Sequence, residues 1–417
     1  MVDSPARAVF RYRNFRFFMP ARFLVTFATE MQAIAVAWQV YAITHRPLDL
    51  GLVGLTQFLP GIALFLVAGH AADRFPRNRI LAVCYAGFAV CSTLFLLLTL
   101  RGLVAVWPIY VVLLLNGTVR AFNGPASQAF LPLLVPKELF PTAVAWGSSV
   151  FQTATIFGPI AGGFIYGFAD SPLPVYFAAS IAYAAALAAI SMVHVKKQPK
   201  GPAGALAMVL EGVRYIWRSK LVLGAMSLDL FAVLLGGAIA LLPVYAREIL
   251  HVGPNGLGLL RSAPGAGAVL MALVVAHWPL RRRAGAAMLS CVFLFGGFTI
   301  VFGISRNIAL SLAALALVGA VDMISVVVRH TLVQLTTPDE MRGRVSAVNM
   351  VFIGASNEVG QFESGVTAQW FGSVPAVVLG GVGTIVVVLL WAWLFPELRR
   401  VDKLVPEPAP EPASLES

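Results

Sequence analysis

Apolar runs about twenty residues long, separated by short polar or basic connectors, follow one another from Phe17 to Phe395. Stretches such as 80–100, 139–169 and 366–396 contain no charged residue at all. A helix crossing a bilayer needs ~20 mostly apolar residues, and the pattern predicts twelve of them. They fall at 17–43, 50–72, 79–100, 107–134, 141–168, 174–193, 221–246, 256–278, 287–304, 308–335, 345–370 and 374–395. The short alternating segments of a membrane β-barrel are missing. The second six spans repeat the first. Val135-Pro136-Lys137-Glu138-Leu139 returns 202 positions on as Thr337-Pro338-Asp339-Glu340-Met341. The Gly54-Leu55 … Pro60-Gly61 … Arg77 … Arg79 pattern returns 204 positions on as Gly258-Leu259 … Pro264-Gly265 … Arg281 … Arg283. A duplicated six-span unit lets two halves rock about a central site, which is how many secondary transporters are built.

Composition narrows the class further. Hydrophobic residues make up 59% of the 417 and charged residues 12%, against roughly 45–50% and 25% in an average soluble domain. A single soluble core of this size is therefore excluded, and the chain reads as an all-α membrane protein. Its organisation is a six-helix bundle at 1–194, a cytoplasmic linker at 195–220, a second bundle at 221–396 and a tail at 397–417. In the linker, Leu206, Val209, Leu210, Val213 and Trp217 recur at helical spacing, as in a helix lying along a membrane surface or on neighbouring loops. The Pro-, Ala- and Glu-rich tail from Pro406 predicts disorder.

The net charge of +11 has an orientation rather than a nucleic-acid meaning. Arg7, Arg11, Arg13, Arg16, Arg74, Arg77, Arg79, Lys137, Lys196, Lys197, Lys200, Arg214, Arg218, Lys220, Arg281–Arg283, Arg342, Arg344, Arg399, Arg400 and Lys403 fall on one side of the predicted spans. The other side carries only Arg46, Arg101, Arg247 and Arg306. Lys and Arg excess in short loops marks the cytoplasmic side, which places both termini there and makes anionic lipid headgroups the partners of the positive charge. Cys84, Cys91 and Cys291 have neither disulfide nor metal-ligand spacing. No cofactor or metal is implied.

Four segments carry candidate chemistry. The turn between spans two and three, Gly69-His70-Ala71-Ala72-Asp73-Arg74-Phe75-Pro76-Arg77-Asn78-Arg79, joins a carboxylate to cations able to latch onto helix ends. Its second-half copy at Ala276–Arg283 has lost the Asp. Span four carries Arg120 within Arg120-Ala121-Phe122-Asn123-Gly124, near mid-membrane, where an arginine costs at least ~2.5–3.5 kcal/mol unless it faces a cavity and a partner. Its repeat-mate 202 positions on is Asp322, a reversal of charge. Span five carries Ala154-Thr155-Ile156-Phe157-Gly158-Pro159-Ile160-Ala161-Gly162-Gly163, able to bend at Gly158-Pro159 and to pack closely at Gly162-Gly163. The remaining intramembrane acids are Glu30, Asp229, Glu358 and Glu363. Removal from water disfavours a charged carboxylate, so such groups can load and release protons. Arg261, Arg329 and His330 are cations that can equally neutralise them, and Phe27, Trp38 and Phe231 offer aromatic surface to a bulky ligand.

These segments resemble the major facilitator superfamily. Gly69, Asp73, Arg74 and Arg77 match its loop signature G-x-x-x-D-R-x-G-R-R/K, with Pro76 and Asn78 departing from it. Arg120 to Gly124 is similar to the R-x-x-x-G element of proton-driven exporters. Gly158, Pro159, Gly162 and Gly163 are similar to the fifth-helix signature of antiporters, with Ala154 in place of its first Gly. Phe10–Arg16 and Gln39–Thr44 look like the branch of enterobactin-type siderophore exporters and macrolide-efflux relatives.

The resemblance implies two pseudo-symmetric six-helix bundles and a monomer in the cell inner membrane. It also implies that spans one, four, seven and ten line the cavity. That favours Glu30, Asp229 and Asp322 over the span-eleven pair, with Glu30 and Asp229 the first candidates for proton carriage and Arg120 their modulator or an anion holder. The expected function is proton-coupled export of amphipathic organic compounds, drugs or siderophores, with small-molecule substrate and protons as partners and any outer-membrane partner unknown. Uptake of a metabolite on the same fold is the alternative. An intramembrane enzyme or receptor is the remote one, since no H-E-x-x-H, G-x-S-x-G or ATP-binding loop occurs.

Overall fold

The computed structural model describes residues 8–194, 205–278 and 283–402. Arg7, Lys196, Lys197, Lys200, Arg281, Arg282, Lys403 and the tail beyond Asp402 lie outside these ranges, as do the side chains of Asp73, Leu206 and Val209. Among the described residues there is no strand, and twelve helical spans follow one another. Span one is Arg13–Thr44, and span two is Pro47–Ala63 continued by Phe65–Arg74. Spans three to six are Arg77–Leu100, Trp107–Phe130, Phe140–Ala169 and Leu173–Ser191. The linker helix Ala205–Arg218 precedes span seven, Lys220–Ile249. Spans eight to twelve are Gly253–His277, Ala284–Ile304, Ile308–Thr336, Asp339–Phe371 and Ser373–Leu394.

Eight of these helices qualify as membrane-crossing on length and apolarity alone. The other four have local reasons to fall short. Span two is interrupted at Leu64, four residues after Pro60, whose ring removes a backbone donor. Spans four and eleven carry Asn116, Arg120 and Asn123, and Glu358, Gln361 and Glu363, while span five is rich in Gly, Ser and Thr.

The helices pack as two bundles whose contacts repeat. Span one packs on five and six, two on four, and three on four and six. Six spans later, seven packs on eleven and twelve, eight on ten, and nine on ten and twelve. The large pairings that cross between bundles, two with eleven and five with eight, are also related by the same repeat. Packing therefore reproduces the duplication seen in the sequence. The first bundle is filled by aromatic residues, with Phe88 stacked on Tyr183 at 5.5 Å and Phe95 on Tyr176 at 5.4 Å.

Span seven departs from the uninterrupted helix its apolar run predicts. Its α-helix ends at Leu235, and Gly236-Gly237 lead into a 3₁₀ turn at Ala238–Leu241 and a π-turn at Tyr245–Ile249. The break sits against span eleven, where a Cβ on Gly237 would stand 2.8 Å from the Gly360 carbonyl oxygen. Irregular backbone at membrane depth is tolerated where it lines a cavity or is buried in protein. Ile239, Ala240, Leu242 and Pro243 line a cavity here.

The linker helix rests on span eleven. Glu211 is ion-paired with Arg344, and Tyr215 Oη donates to the Thr336 carbonyl at 3.0 Å. Leu210 and Trp217 remain exposed on its outer side.

Candidate functional site

The two bundles meet tightly at one face and diverge toward the other. At the tight end of spans two and eleven, a Cβ on Gly51 would lie 3.0 Å from Phe362 Cα, and one on Gly365 2.9 Å from Gly51 Cα. One turn further, a Cβ on Gly54 would meet Glu358 Oε2 at 3.1 Å. Beyond that, the approach of Gly354 to the Phe58 ring has widened to 3.9 Å, and Gly61 has no neighbour within 4 Å. The five–eight pair closes at the same face. A Cβ on Gly163 would stand 2.5 Å from the Pro254 carbonyl oxygen and 3.0 Å from Gly258 Cα. Ser262 Oγ donates to the Ile156 carbonyl at 2.6 Å. The sealed face is the one where spans one and two join; the open face carries the basic loops.

Between the bundles lies a cavity of about 330 Å³. Its polar lining comes from span one (Thr26, Thr29, Glu30, Gln32), span two (Gln57), span four (Asn116, Arg120, Asn123), span eight (Arg261) and span eleven (Glu358, Gln361). Arg120 Nη1 reaches Glu358 Oε1 at 3.4 Å, an ion pair across the two halves. Gln361 Nε2 donates to the other Glu358 oxygen at 3.2 Å. Among the described residues Glu30 has no hydrogen-bond or ion-pair partner, and its Cβ abuts Gly158 of span five. Two carboxylates and two guanidiniums thus face one space, a balanced set that can hold a ligand of either sign in hydrogen-bonding geometry.

Of the four candidates, Glu30 and Arg120 line the central cavity, and Asp229 and Asp322 lie elsewhere. Span ten does not line the central cavity, and Glu358 of span eleven does. Asp229 is ion-paired with Arg329 of span ten, inside the second bundle. Asp322 shares a small crevice with it, bounded by Val292 and Phe295 of span nine and by Ser325. Arg120 and its repeat-mate therefore face different surroundings, one the seam and the other the bundle interior. The aromatic surface also differs from expectation. Phe88 and Phe151 line the cavity, whereas Phe27 stacks on Phe23 and Phe231 packs on Trp391.

The glycine element of span five divides between two neighbours. Cβ atoms at Gly158 and Gly162 would press on the span-one backbone at Phe27 and Met31, while Gly163 and Pro159 meet Gly258 of span eight. One helix therefore touches its own bundle on one face and the other bundle on the next, as a seal requires. In the turn after span two, Arg77 donates from Nη1 to the Ala129 carbonyl at 2.8 Å and from Nε to the Ala72 carbonyl at 3.4 Å. It ties the end of span two to the last turn of span four, satisfying carbonyls left open at helix ends. Gly69 has open space around it, Arg74 is exposed, and the Asp73 side chain lies outside those described.

A charged clamp on the sealed face was not read from the sequence. The π-turn ending span seven presents Arg247 over the Trp38 ring at 5.8 Å and Glu248 to the Tyr41 hydroxyl, joining the two bundles. Arg247 counted as a loop cation in the sequence. The signal available was an Arg-Glu pair at a span end in a chain with aromatic Trp38 and Tyr41 at the end of span one.

A family model described as transmembrane secretion effector matches residues 4–415. The enterobactin exporter EntS of Citrobacter koseri is 27% identical over 409 residues, covering 96% of each chain. That of Shigella boydii serotype 4 is 25% identical over 401 residues, covering 94% of each. Among solved structures, a POT family transporter in complex with 5-aminolevulinic acid superposes with a TM-score of 0.73 at 10% identity, over 93% of this chain and 96% of the other. A bacterial homologue of the human lysosomal transporter Spinster, in an inward-facing and unoccupied conformation, gives 0.71 at 12% identity, over 93% and 97%.

Proposed function

The chain belongs to the transmembrane secretion effector family of major facilitator transporters, and from that premise we propose that it exports amphipathic organic compounds, siderophore-like or drug-like, driven by protons. It is a multi-pass membrane transporter, not an enzyme. The single observation carrying the proposal is the inter-bundle cavity, sealed at one face and open at the other, with Arg120 and Glu358 meeting across it. A volume of about 330 Å³ falls within the ~300–1,000 Å³ of drug-sized sites.

The chemistry follows from the lining. Arg120 and Arg261 offer planar forks to carboxylate, phenolate or carbonyl oxygens, while Phe88 and Phe151 offer apolar surface. A ligand oxygen that takes Arg120 displaces Glu358, and so loosens the ion pair joining the halves. Rocking of the bundles then opens the sealed face. Basic-loop excess assigns the open face, with both termini, to the cytoplasm of the cell inner membrane, so this conformation loads from inside, as export requires. The relatives named as enterobactin exporters point to catechol siderophores as first test compounds.

The test is accumulation in an efflux-deficient bacterium expressing the protein, over a panel of dyes, antibiotics and catechol siderophores, with and without a protonophore. Export predicts lower accumulation that the protonophore abolishes. Raised accumulation of any compound would replace export by uptake.

A further inference from the structure

The central cavity is balanced in charge, Glu30 and Glu358 against Arg120 and Arg261. The group inside the second bundle is not. Two carboxylates, Asp229 of span seven and Asp322 of span ten, flank one crevice. Among the described residues the one guanidinium within electrostatic reach of both is Arg329, which is already ion-paired with Asp229. The Arg329 side chain is 5% exposed, and its Nε is buried without an acceptor. Among the described residues Asp322 has no hydrogen-bond or ion-pair partner.

Among the described residues no other charge compensates Asp322. Span nine, packed against the crevice, has no Asp, Glu, Lys, Arg or His, and its thiol is the buried Cys291. Span twelve has no titratable residue. Arg261 of span eight and Glu358 of span eleven face the central cavity; His277 is exposed in the last turn of span eight, and Glu363 of span eleven accepts from the Thr367 hydroxyl. His330, next to Arg329, is exposed and lies within electrostatic reach of Asp229 but not of Asp322.

We propose that Asp322 is the proton site of the transport cycle, housed within the second bundle apart from the substrate cavity, with Asp229 and Arg329 deciding when it is loaded. This rests on the proton-driven export proposed above. One guanidinium cannot compensate two carboxylates away from water. With Asp229 holding Arg329, Asp322 carries the proton. When Arg329 turns its free Nε to Asp322, the carboxyl O–H breaks, the proton leaves to water in the crevice, and the carboxylate takes the guanidinium.

The link to substrate runs through span seven. Asp229 lies on the helix that breaks at Gly236-Gly237, and the residues after the break, Ile239 to Pro243, wall the cavity. A ligand pressing on that segment moves Asp229 relative to Arg329.

The first experiment needs no substrate. Infrared difference spectra of the purified full chain, between acidic and alkaline buffer, report the carbonyl stretch of protonated carboxyls. One such band is expected to disappear in Asp322→Asn, to return shifted in Asp322→Glu, and to persist in Glu30→Gln and Glu358→Gln. Asp229→Asn, which frees Arg329 for Asp322, should also remove it. Persistence of every band in a folded Asp322→Asn, or loss of the same band in Glu358→Gln, overturns the assignment.

The second experiment uses proteoliposomes and enterobactin. Asp322→Asn should retain exchange of labelled for unlabelled enterobactin without a gradient and lose proton-driven accumulation; retained accumulation overturns the assignment. Absence of proton-driven accumulation in the wild type would count against the export reading, and the infrared result would still decide the proton site.

Discussion

Gly163→Ala should open the sealed face. The added methyl would stand 2.5 Å from the Pro254 carbonyl oxygen and 3.0 Å from Gly258 Cα, both backbone atoms of span eight that no rotamer change can move aside. Restoring ordinary contact asks spans five and eight to separate by ~0.9 Å, and forcing a methyl into a filled contact costs about 1–3 kcal/mol. In a conformation with that face open the contact is absent, so the cost falls on one state alone. A differential of 1–3 kcal/mol moves a two-state equilibrium by about 5- to 150-fold. The assay is electron–electron distance measurement between spin labels at Ser171 and His251, which follow span five and precede span eight. Cys84, Cys91 and Cys291 are buried, so background labelling is low. A longer-distance population should grow in Gly163→Ala and stay at the wild-type level in Gly297→Ala, where the added atom meets open space. An unchanged distribution in a folded Gly163→Ala would mean that the span five–eight contact does not hold this face closed.

Three further outcomes are expected. Arg120→Gln removes an ion pair whose arginine is 57% exposed, so thermal unfolding in detergent should shift by ~1 kcal/mol or less while export is lost; Asp229→Ala strands Arg329 and should cost about 3–5 kcal/mol. Equal destabilisation by the two would contradict this division. Trp38→Leu deletes the cation–π contact with Arg247, about 0.5–2 kcal/mol, and should shift the Ser171–His251 distances in the same direction as Gly163→Ala. Arg77→Ala leaves the Ala129 and Ala72 carbonyls without their charged donor, about 1.5–3 kcal/mol, and should lower the unfolding temperature more than Arg74→Ala, whose side chain is exposed.

The ends of the helices were legible because the bilayer fixes the length of an apolar run and charged connectors stop it. Span three, read at 79–100, is Arg77–Leu100, and span ten, read at 308–335, is Ile308–Thr336. The bundle repeat was legible from Pro136 and Pro338, identical landmarks with like neighbours. The break in span seven was not, because Gly236-Gly237 has the same composition as a packing pair inside an intact helix.

Depth along a helix follows from counting, but the direction a side chain faces follows from its neighbours. That is why Asp229 and Asp322 counted as cavity residues and lie instead inside the second bundle. The sequence pattern favours other acids over Glu358 for the same reason. Its partner Arg120 lies 238 positions away, and only the close approach of spans two and eleven at Gly51 and Gly365 brings the two together. The span-five glycines announced close packing, while the identity of each partner, span one for Gly158 and span eight for Gly163, required the assembled bundles.

The divergence of spans two and eleven carries an imprint of a shape the molecule does not adopt here. Gly51 and Gly54 are occupied by the opposite helix, whereas Gly61 and Gly69, further along the same span, look onto nothing within 4 Å. Side-chain-free positions at an unfilled seam are expensive to keep if this were the resting shape for good, since each forgoes both packing and helix propensity. They have a use once the bundles tip the other way and the basic ends of spans two and eleven come together, backbone against backbone. On this view the vacant glycines are a mould of the opposite conformation, and a methyl at Gly61 would hold the molecule in the shape described here, the mirror image of what a methyl does at Gly163.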